Sequence, residues 1–263
     1  MTSYDLAGRK ALVTGGAQGL GEGMAKALAK AGAHVVIGDV KPSGEATAKA
    51  LGAGHGFVTL DVTSEPSWEK AIASAIEKLG GLDLVINNAG VEITSLITEV
   101  KPEDVLKMLS VNVLGTTLGI KHALRAMRPG GAAGKGGAIV NVASVAATIA
   151  FPGIAVYSAT KSAVDRLTRV AAMESGKLGY GVRVNCVYPG LVPTEMGAGL
   201  ANDVAKLGLF PSPEAAVAGV IGLTPSGRLG TVEDMADAVV FLASDAARFI
   251  TGVGLPVDGG MGM

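Results

Sequence analysis

The stretch ALVTGGAQGLGEGMAKALAK, residues 11–30, runs from an apolar β-rich segment through a glycine-rich turn into a helix-forming segment. Within it, TGGAQGLG at 14–21 sets Gly15, Gly19 and Gly21 in a T-G-x-x-x-G-x-G spacing. Glycines at a strand-to-helix turn let the backbone approach a pyrophosphate, and the helix N-terminus offers unpaired N–H groups with a partial positive charge. A dinucleotide cradle is one reading of the turn and structural punctuation is the other, so its surroundings must decide. Asp39 closes the next apolar run, VVIGD at 35–39, about 20 residues on, where an acid can take the adenosine ribose hydroxyls and repel a 2′-phosphate. Gln18 is neutral where a 2′-phosphate would gain from a base, which favours NAD over NADP, and Lys41 is the one charge that argues the other way. The bland alternative is that Asp39 only caps the strand end.

Working outward, β-branched apolar runs recur at 11–14, 35–38, 57–60, 84–87, 138–142 and 182–187, with helix-length stretches between them. Strands that alternate with helices pair in parallel, and parallel strands covered on both faces read as continuous apolar runs. The pattern predicts an α/β fold with a doubly wound parallel sheet. Pro102, Glu103 and Asp104 suit a first helical turn, and Thr117, Ile120, Leu124 and Met127 form a stripe after it. Thr231 with Asp234 predicts a capping box. PGGAAGKGG at 129–137 lies between a helix and a strand of the same alternation, so it reads as an enlarged surface loop rather than a linker.

The chain has 263 residues, is 49% hydrophobic and 17% charged, and carries a net charge of −1, so neither nucleic acid nor an anionic membrane is an expected partner. Residues 136–160 hold no charge and could span a bilayer by length, but Asn141, Ser144, Pro152-Gly153 and Ser158 interrupt them. The N-terminal MTSYDLAGRK has charges where a signal peptide needs an apolar run, which makes the cytoplasm the expected location. The single cysteine, Cys186, sits in an apolar strand segment and reads as a buried inert thiol. His34, His55 and His122 have no metal-ligand spacing, so no metal is expected.

YSATK at 157–161 sets a phenol and an ammonium four residues apart, on one face if the segment is helical. A cation close to a tyrosine favours phenolate and lowers its pKa, which would let Tyr157 exchange protons near neutral pH. Such a pair alone is more often a solvated face. Three neighbours change that: Ser144 just past the AIVNV strand, NNAG at 87–90 ending the preceding strand, and Asn112 in SVNVLG.

Taken together, TGGAQGLG, NNAG and YSATK make the chain resemble a short-chain dehydrogenase/reductase of the single-domain branch, over nearly its whole length. The resemblance implies a Rossmann-type sheet of about seven strands flanked by helices on both faces, one domain over 1–263, and a substrate lid at about 191–228. It implies that Tyr157 is the general acid/base, Lys161 lowers its pKa and holds the nicotinamide ribose, Ser144 bonds the substrate oxygen, and Asn112 helps hold a proton-relay water. Gly15, Gln18, Gly19, Leu20, Gly21 and Asp39 would take the adenosine and pyrophosphate side. Asp61 and Val62 would flank the adenine, Asn88, Ala89 and Gly90 the ribose, and Pro189, Gly190, Val192 and Thr194 the carboxamide end.

The lid segment is apolar at Met196, Leu200, Val204, Leu207, Leu209 and Phe210. Those side chains either face a hydrophobic alcohol or ketone, with Leu191, Met196 and Leu200 as substrate contacts, or pack inward. The expected activity is NAD-dependent interconversion of a secondary alcohol and a ketone, of cyclic, aromatic or steroid-like kind. An NADPH-dependent 3-oxoacyl carrier-protein reductase is the alternative, and a nucleotide sensor without catalysis a third reading. The resemblance also implies a homotetramer, a dimer of dimers, with Ala163, Ala171 and Ala172 compatible with close helix packing.

Overall fold

The computed structural model describes residues 4–263. In chain order it runs β1 (Lys10–Thr14), α1 (Gly19–Lys30), β2 (His34–Asp39), α2 (Gly44–Ala50), β3 (Gly56–Thr59), α3 (Glu65–Leu79), β4 (Leu84–Asn87), α4 (Pro102–Met108) and α5 (Gly115–Met127). There follow β5 (Gly137–Val142), α6 (Ala155–Lys177), β6 (Val182–Pro189), α7 (Glu195–Lys206), α8 (Pro213–Gly222), α9 (Val232–Ala243) and β7 (Gly254–Val257). All seven strands are parallel in one sheet ordered β3-β2-β1-β4-β5-β6-β7. The chain order reverses between β1 and β4, which opens a crevice at the carboxyl edge there.

The apolar runs are continuous because each strand feeds two cores, as period-two alternation requires. Ala11 and Val13, Val35 and Ile37, and Leu84 and Ile86 face the side covered by α1 and α9, where Met24, Leu28, Val239 and Leu242 are buried. Leu12, Val36, Val85 and Ile139 face the opposite side, with Trp68, Ala71, Ala123 and Met127 from α3 and α5. Three buried polar side chains cross that layer, with Asn87 Oδ1 left without a hydrogen-bond partner among the described residues. The Asn87 amide donates to Asn141 Oδ1 at 2.8 Å, Asn141 donates to Thr168 Oγ1 at 2.9 Å, and Thr168 donates to the Val164 carbonyl at 2.8 Å.

The helix signals are placed as read: α4 opens at Pro102, and Thr231 and Asp234 exchange both bonds of a capping box at α9. Between α4 and α5 the chain widens into a π-helical turn, Leu109–Leu114, which carries Asn112. The 129–137 loop folds back on its helix. Its Ala133 and Gly134 N–H groups donate to the Ala126 carbonyl and Gly136 N–H to Met127, so it satisfies carbonyls that the end of α5 leaves open. The uncharged stretch 136–160 is β5, a loop and the start of α6, and no helix among the described residues is long and apolar enough to cross a membrane. Ala171 and Ala172 pack into this chain's own core rather than lying free for a neighbour. The seventh strand, GLPV, has no counterpart among the apolar runs, because Gly254 and Pro256 remove the β signal at an edge where proline's missing N–H is tolerated.

Trp68 is fully buried under α5, and its Nε1 donates to the Val62 carbonyl at 3.0 Å. Trp68→Ala should lower the free energy of unfolding by about 3–5 kcal/mol, measured by urea denaturation followed by circular dichroism.

Candidate active site

Two loops at the switch point are stitched together. The Thr14 hydroxyl accepts from the Asn88 and Ala89 N–H groups, each at 3.0 Å, and the Asn88 side-chain amide donates to the Thr14 and Gly15 carbonyls at 3.0 and 3.1 Å. Gly15 has φ +64° and lies so near Ala89 that a Cβ would come within 2.8 Å of its Cα. Gly21, expected among the cofactor contacts, is not one of the residues that line the cavity. It is buried beneath the loop, where a Cβ would meet the Gly15 carbonyl at 2.2 Å, so its smallness serves helix-to-loop packing. At the N-terminus of α1, Gln18 makes no side-chain cap, which leaves the N–H groups of the first turn without a side-chain partner.

A cavity of about 550 Å³ begins at this loop and crosses the carboxyl edge of the sheet. Its lining includes Gly15, Gln18, Gly19, Leu20, Asp39, Asp61 and Val62; Asn88, Ala89 and Gly90; Ser144, Tyr157 and Lys161; and Pro189, Gly190, Val192 and Thr194. Asp39 is almost fully buried, and its carboxylate accepts from the Ala17 N–H at 3.0 Å and the Lys41 N–H at 2.9 Å. These bonds hold the carboxylate at the cavity wall. Gln18 bridges the mouth, donating to Glu195 Oε2 at 2.9 Å and accepting from Lys41 Nζ at 2.6 Å. The glycine cradle, the open helix turn and the elongated cavity suit a dinucleotide.

Tyr157 and Lys161 stand one turn apart at the start of α6. The Lys161 ammonium donates to the Val142 carbonyl at 2.8 Å and lies 5.6 Å from the centre of the Tyr157 ring. Burial raises the Tyr157 hydroxyl to about 12, opposed by hydrogen bonding with Ser144 and reinforced by the negative charge of Glu92. Burial also lowers Lys161 to about 8. The ammonium is lowered and the phenol raised, so at neutral pH the pair is a neutral tyrosine beside a lysine cation.

Ser144 caps a short turn by accepting from the Ala146 N–H at 3.1 Å. Asn112 is fully buried behind the cavity wall. Its amide donates to the Val91 carbonyl and to Thr160 Oγ1, at 2.9 and 3.0 Å, and its Oδ1 accepts from the Val91 N–H at 2.9 Å. Both amide hydrogens are therefore committed, and its visible work is to clamp the loop after β4. Cys186 is buried and its thiol is raised to about 11 by burial, so it stays protonated, and no cluster among the described residues could hold a metal.

Part of the wall is apolar: Ile149, Phe151 and Ile154 before α6, and Leu191, Met196 and Leu200 from the segment after β6. The apolar residues of that segment divide between the two expected roles. Met196 and Leu200 reach the cavity, while Val204, Leu209 and Phe210 pack together with Phe151, whose ring stacks on Phe210 at 6.0 Å. Sequence reasoning passed over Phe151, Met261 and Glu92, which also line the cavity. Of these only Glu92 carried a signal, as the lone acid directly after the NNAG motif.

Residues 15–262 match the family profile described as enoyl-(acyl carrier protein) reductase. The 2,5-dichloro-2,5-cyclohexadiene-1,4-diol dehydrogenase of Sphingobium indicum is 40% identical over 259 residues, 97% of this chain and 96% of that protein. The trans-4-hydroxycyclohexanecarboxylate dehydrogenase of Sinomonas cyclohexanicum is 36% identical, over 97% of this chain and 93% of its own. The structure of 3-ketoacyl-(acyl-carrier-protein) reductase from Brucella melitensis complexed with NADH superposes with a TM-score of 0.86 at 33% identity, covering 98% of this chain and all of that one. The chain belongs to the short-chain dehydrogenase/reductase family. Membership implies a nicotinamide dinucleotide as cofactor.

Proposed function

We propose that the protein is an NAD-dependent dehydrogenase that interconverts a secondary alcohol and a ketone on a hydrophobic, ring-bearing substrate. The observation that carries this reading is the convergence of Ser144, Tyr157 and Lys161 on one cavity that continues to the glycine loop and to Asp39. When bound, the dinucleotide supplies the hydride acceptor or donor and, in its oxidised form, a positive charge. Ser144 and Tyr157 hold the substrate oxygen between them, and Tyr157 takes its proton in oxidation or returns it in reduction. Lys161 holds a cation near the phenol, pulling against the burial that raises it. Asn112 keeps the loop after β4 in place, and the apolar walls exclude water.

The segment 191–228 serves as the substrate lid, and the protein as a whole is one domain over 1–263. Leu106, Leu109, Leu114, Val170 and Met173 are exposed on α4, the π turn and α6, which supports these helices as an interface of a homotetramer. Both ring-alcohol relatives favour a cyclic alcohol as substrate. The carrier-protein reductase reading finds support in the Brucella neighbour. Against it stands Asp39, whose carboxylate repels a 2′-phosphate at the cavity end where NADP would differ.

Tyr157→Phe should lower kcat for oxidation of a cyclic alcohol by about 10²–10⁴-fold while leaving NADH binding, followed by fluorescence, within a few-fold of wild type. Turnover comparable to wild type would sink the assignment. Asp39→Ala should narrow the ratio of kcat/KM with NAD to that with NADP, and a ratio that stays fixed would remove its ribose role. Oxidation requires the deprotonated phenol, and the charge of Glu92 raises Tyr157. In Glu92→Gln, therefore, the acid limb of the pH profile for oxidation should move to lower pH, measured by initial rates across pH 6–10.5.

A further inference from the structure

Glu92 has no part in the mechanism above, yet it lines the same cavity as Ser144 and Tyr157, and its charge acts on the Tyr157 phenol. Its position is fixed from both sides. Asn112 clamps Val91 through both backbone groups, and three residues beyond Glu92 the Ser95 N–H donates to the Gly153 carbonyl at 2.8 Å, in a parallel bridge of Ser95 with Ile154 before α6. The side chain is oriented as well: the Thr94 hydroxyl donates to Glu92 Oε1 at 2.9 Å, while Oε2 has no hydrogen-bond partner among the described residues.

The same cavity is lined by Ile149, Phe151, Ile154, Met196 and Leu200. A carboxyl group set in such a wall requires a donor when the cavity is filled, because a buried polar group without a partner is penalised. Burial and the nearby charge of Asp203 already raise its pKa. The carbinol oxygen itself is taken by Ser144 and Tyr157, so the donor for Glu92 must come from another position on the substrate.

We infer that Glu92 is a specificity-determining residue that accepts a hydrogen bond from a second hydroxyl group, which makes diols and hydroxyketones the preferred substrates over simple alcohols. The inference rests on the alcohol–ketone reading above and narrows its substrate class. It adds no chemical step. Oε2 accepts an O–H at the non-reacting carbon, Thr94 holds the carboxylate still, and a mono-alcohol of the same ring leaves Oε2 unpaired in an apolar wall.

The test compares kcat/KM for cyclohexanol with that for cis- and trans-1,2-cyclohexanediol, using NAD. The wild type should favour one of the diols by about 10- to 100-fold, the span expected of a hydrogen bond to a charged group. In Glu92→Leu, shown to be folded by its NADH binding, that ratio should fall to near one; Glu92→Ala repeats the comparison with a smaller side chain, and Glu92→Gln, which keeps an acceptor oxygen, should retain part of it. A wild type that does not distinguish the diols from cyclohexanol, or a ratio that survives in the Leu and Ala variants, overturns the proposal and leaves the alcohol–ketone reading standing. Preference for trans-2-aminocyclohexanol over both diols would also overturn it, because the site would then select a cation. If the wild type oxidises no alcohol with either dinucleotide, the function proposed above fails, and this inference with it.

Discussion

The site depends on the tie between the first and fourth strands at the point where the chain order of the sheet reverses. One threonine hydroxyl and one asparagine amide, from Thr14 and Asn88, make four short bonds between the two loops. Loops at a sheet edge would otherwise have backbone groups bonded only to water. Here those groups are paired, and the glycine turn is held against Ala89 with no space for a side chain between them. A backbone fixed in this way presents the free N–H groups of α1 in one arrangement, which an anion-binding turn needs if it is not to pay ordering entropy on each encounter.

The second constraint is electrical. Lys161 is buried and Tyr157 half-buried, and desolvation moves each toward its neutral form, up for the phenol and down for the ammonium. The two shifts together make transfer of a proton from phenol to solvent difficult in the unliganded protein. Any cation arriving in the cavity acts on a tyrosine with little water to screen it, so its effect there is far larger than it would be at the surface. The charge of Glu92 acts on the phenol in the same direction as burial, raising it further.

Much of this was legible in the sequence, for reasons that can be named. Six strands announce themselves because two-sided burial demands unbroken apolar runs, and the glycine, Asn-Asn-Ala-Gly and Tyr-x-x-x-Lys motifs fix their own neighbours through local geometry. The seventh strand was hidden by Gly254 and Pro256, residues that an edge position tolerates. The packing role of Gly21 depends on the distance between a helix and a loop, which spacing along the chain does not encode. The order in which Tyr157 and Lys161 titrate depends on burial, and Glu92 belongs to no periodic pattern. The division of the segment after β6, with Met196 and Leu200 inward and Val204, Leu209 and Phe210 packed aside, required the fold of α7 and α8.

The bridge from Lys41 through Gln18 to Glu195 joins the turn before α1 to the first residue of α7. Its members are wet, and contacts of this kind contribute only about 0–1 kcal/mol. The opposite side of α7 is anchored by Ala201 and Val204 in a dry cluster with Ala216 of α8. The helix is thus moored firmly at its back and loosely at its front. Of the two sides, the front is the one whose contacts can be exchanged for water at little cost, while Val204 at the back is held by burial.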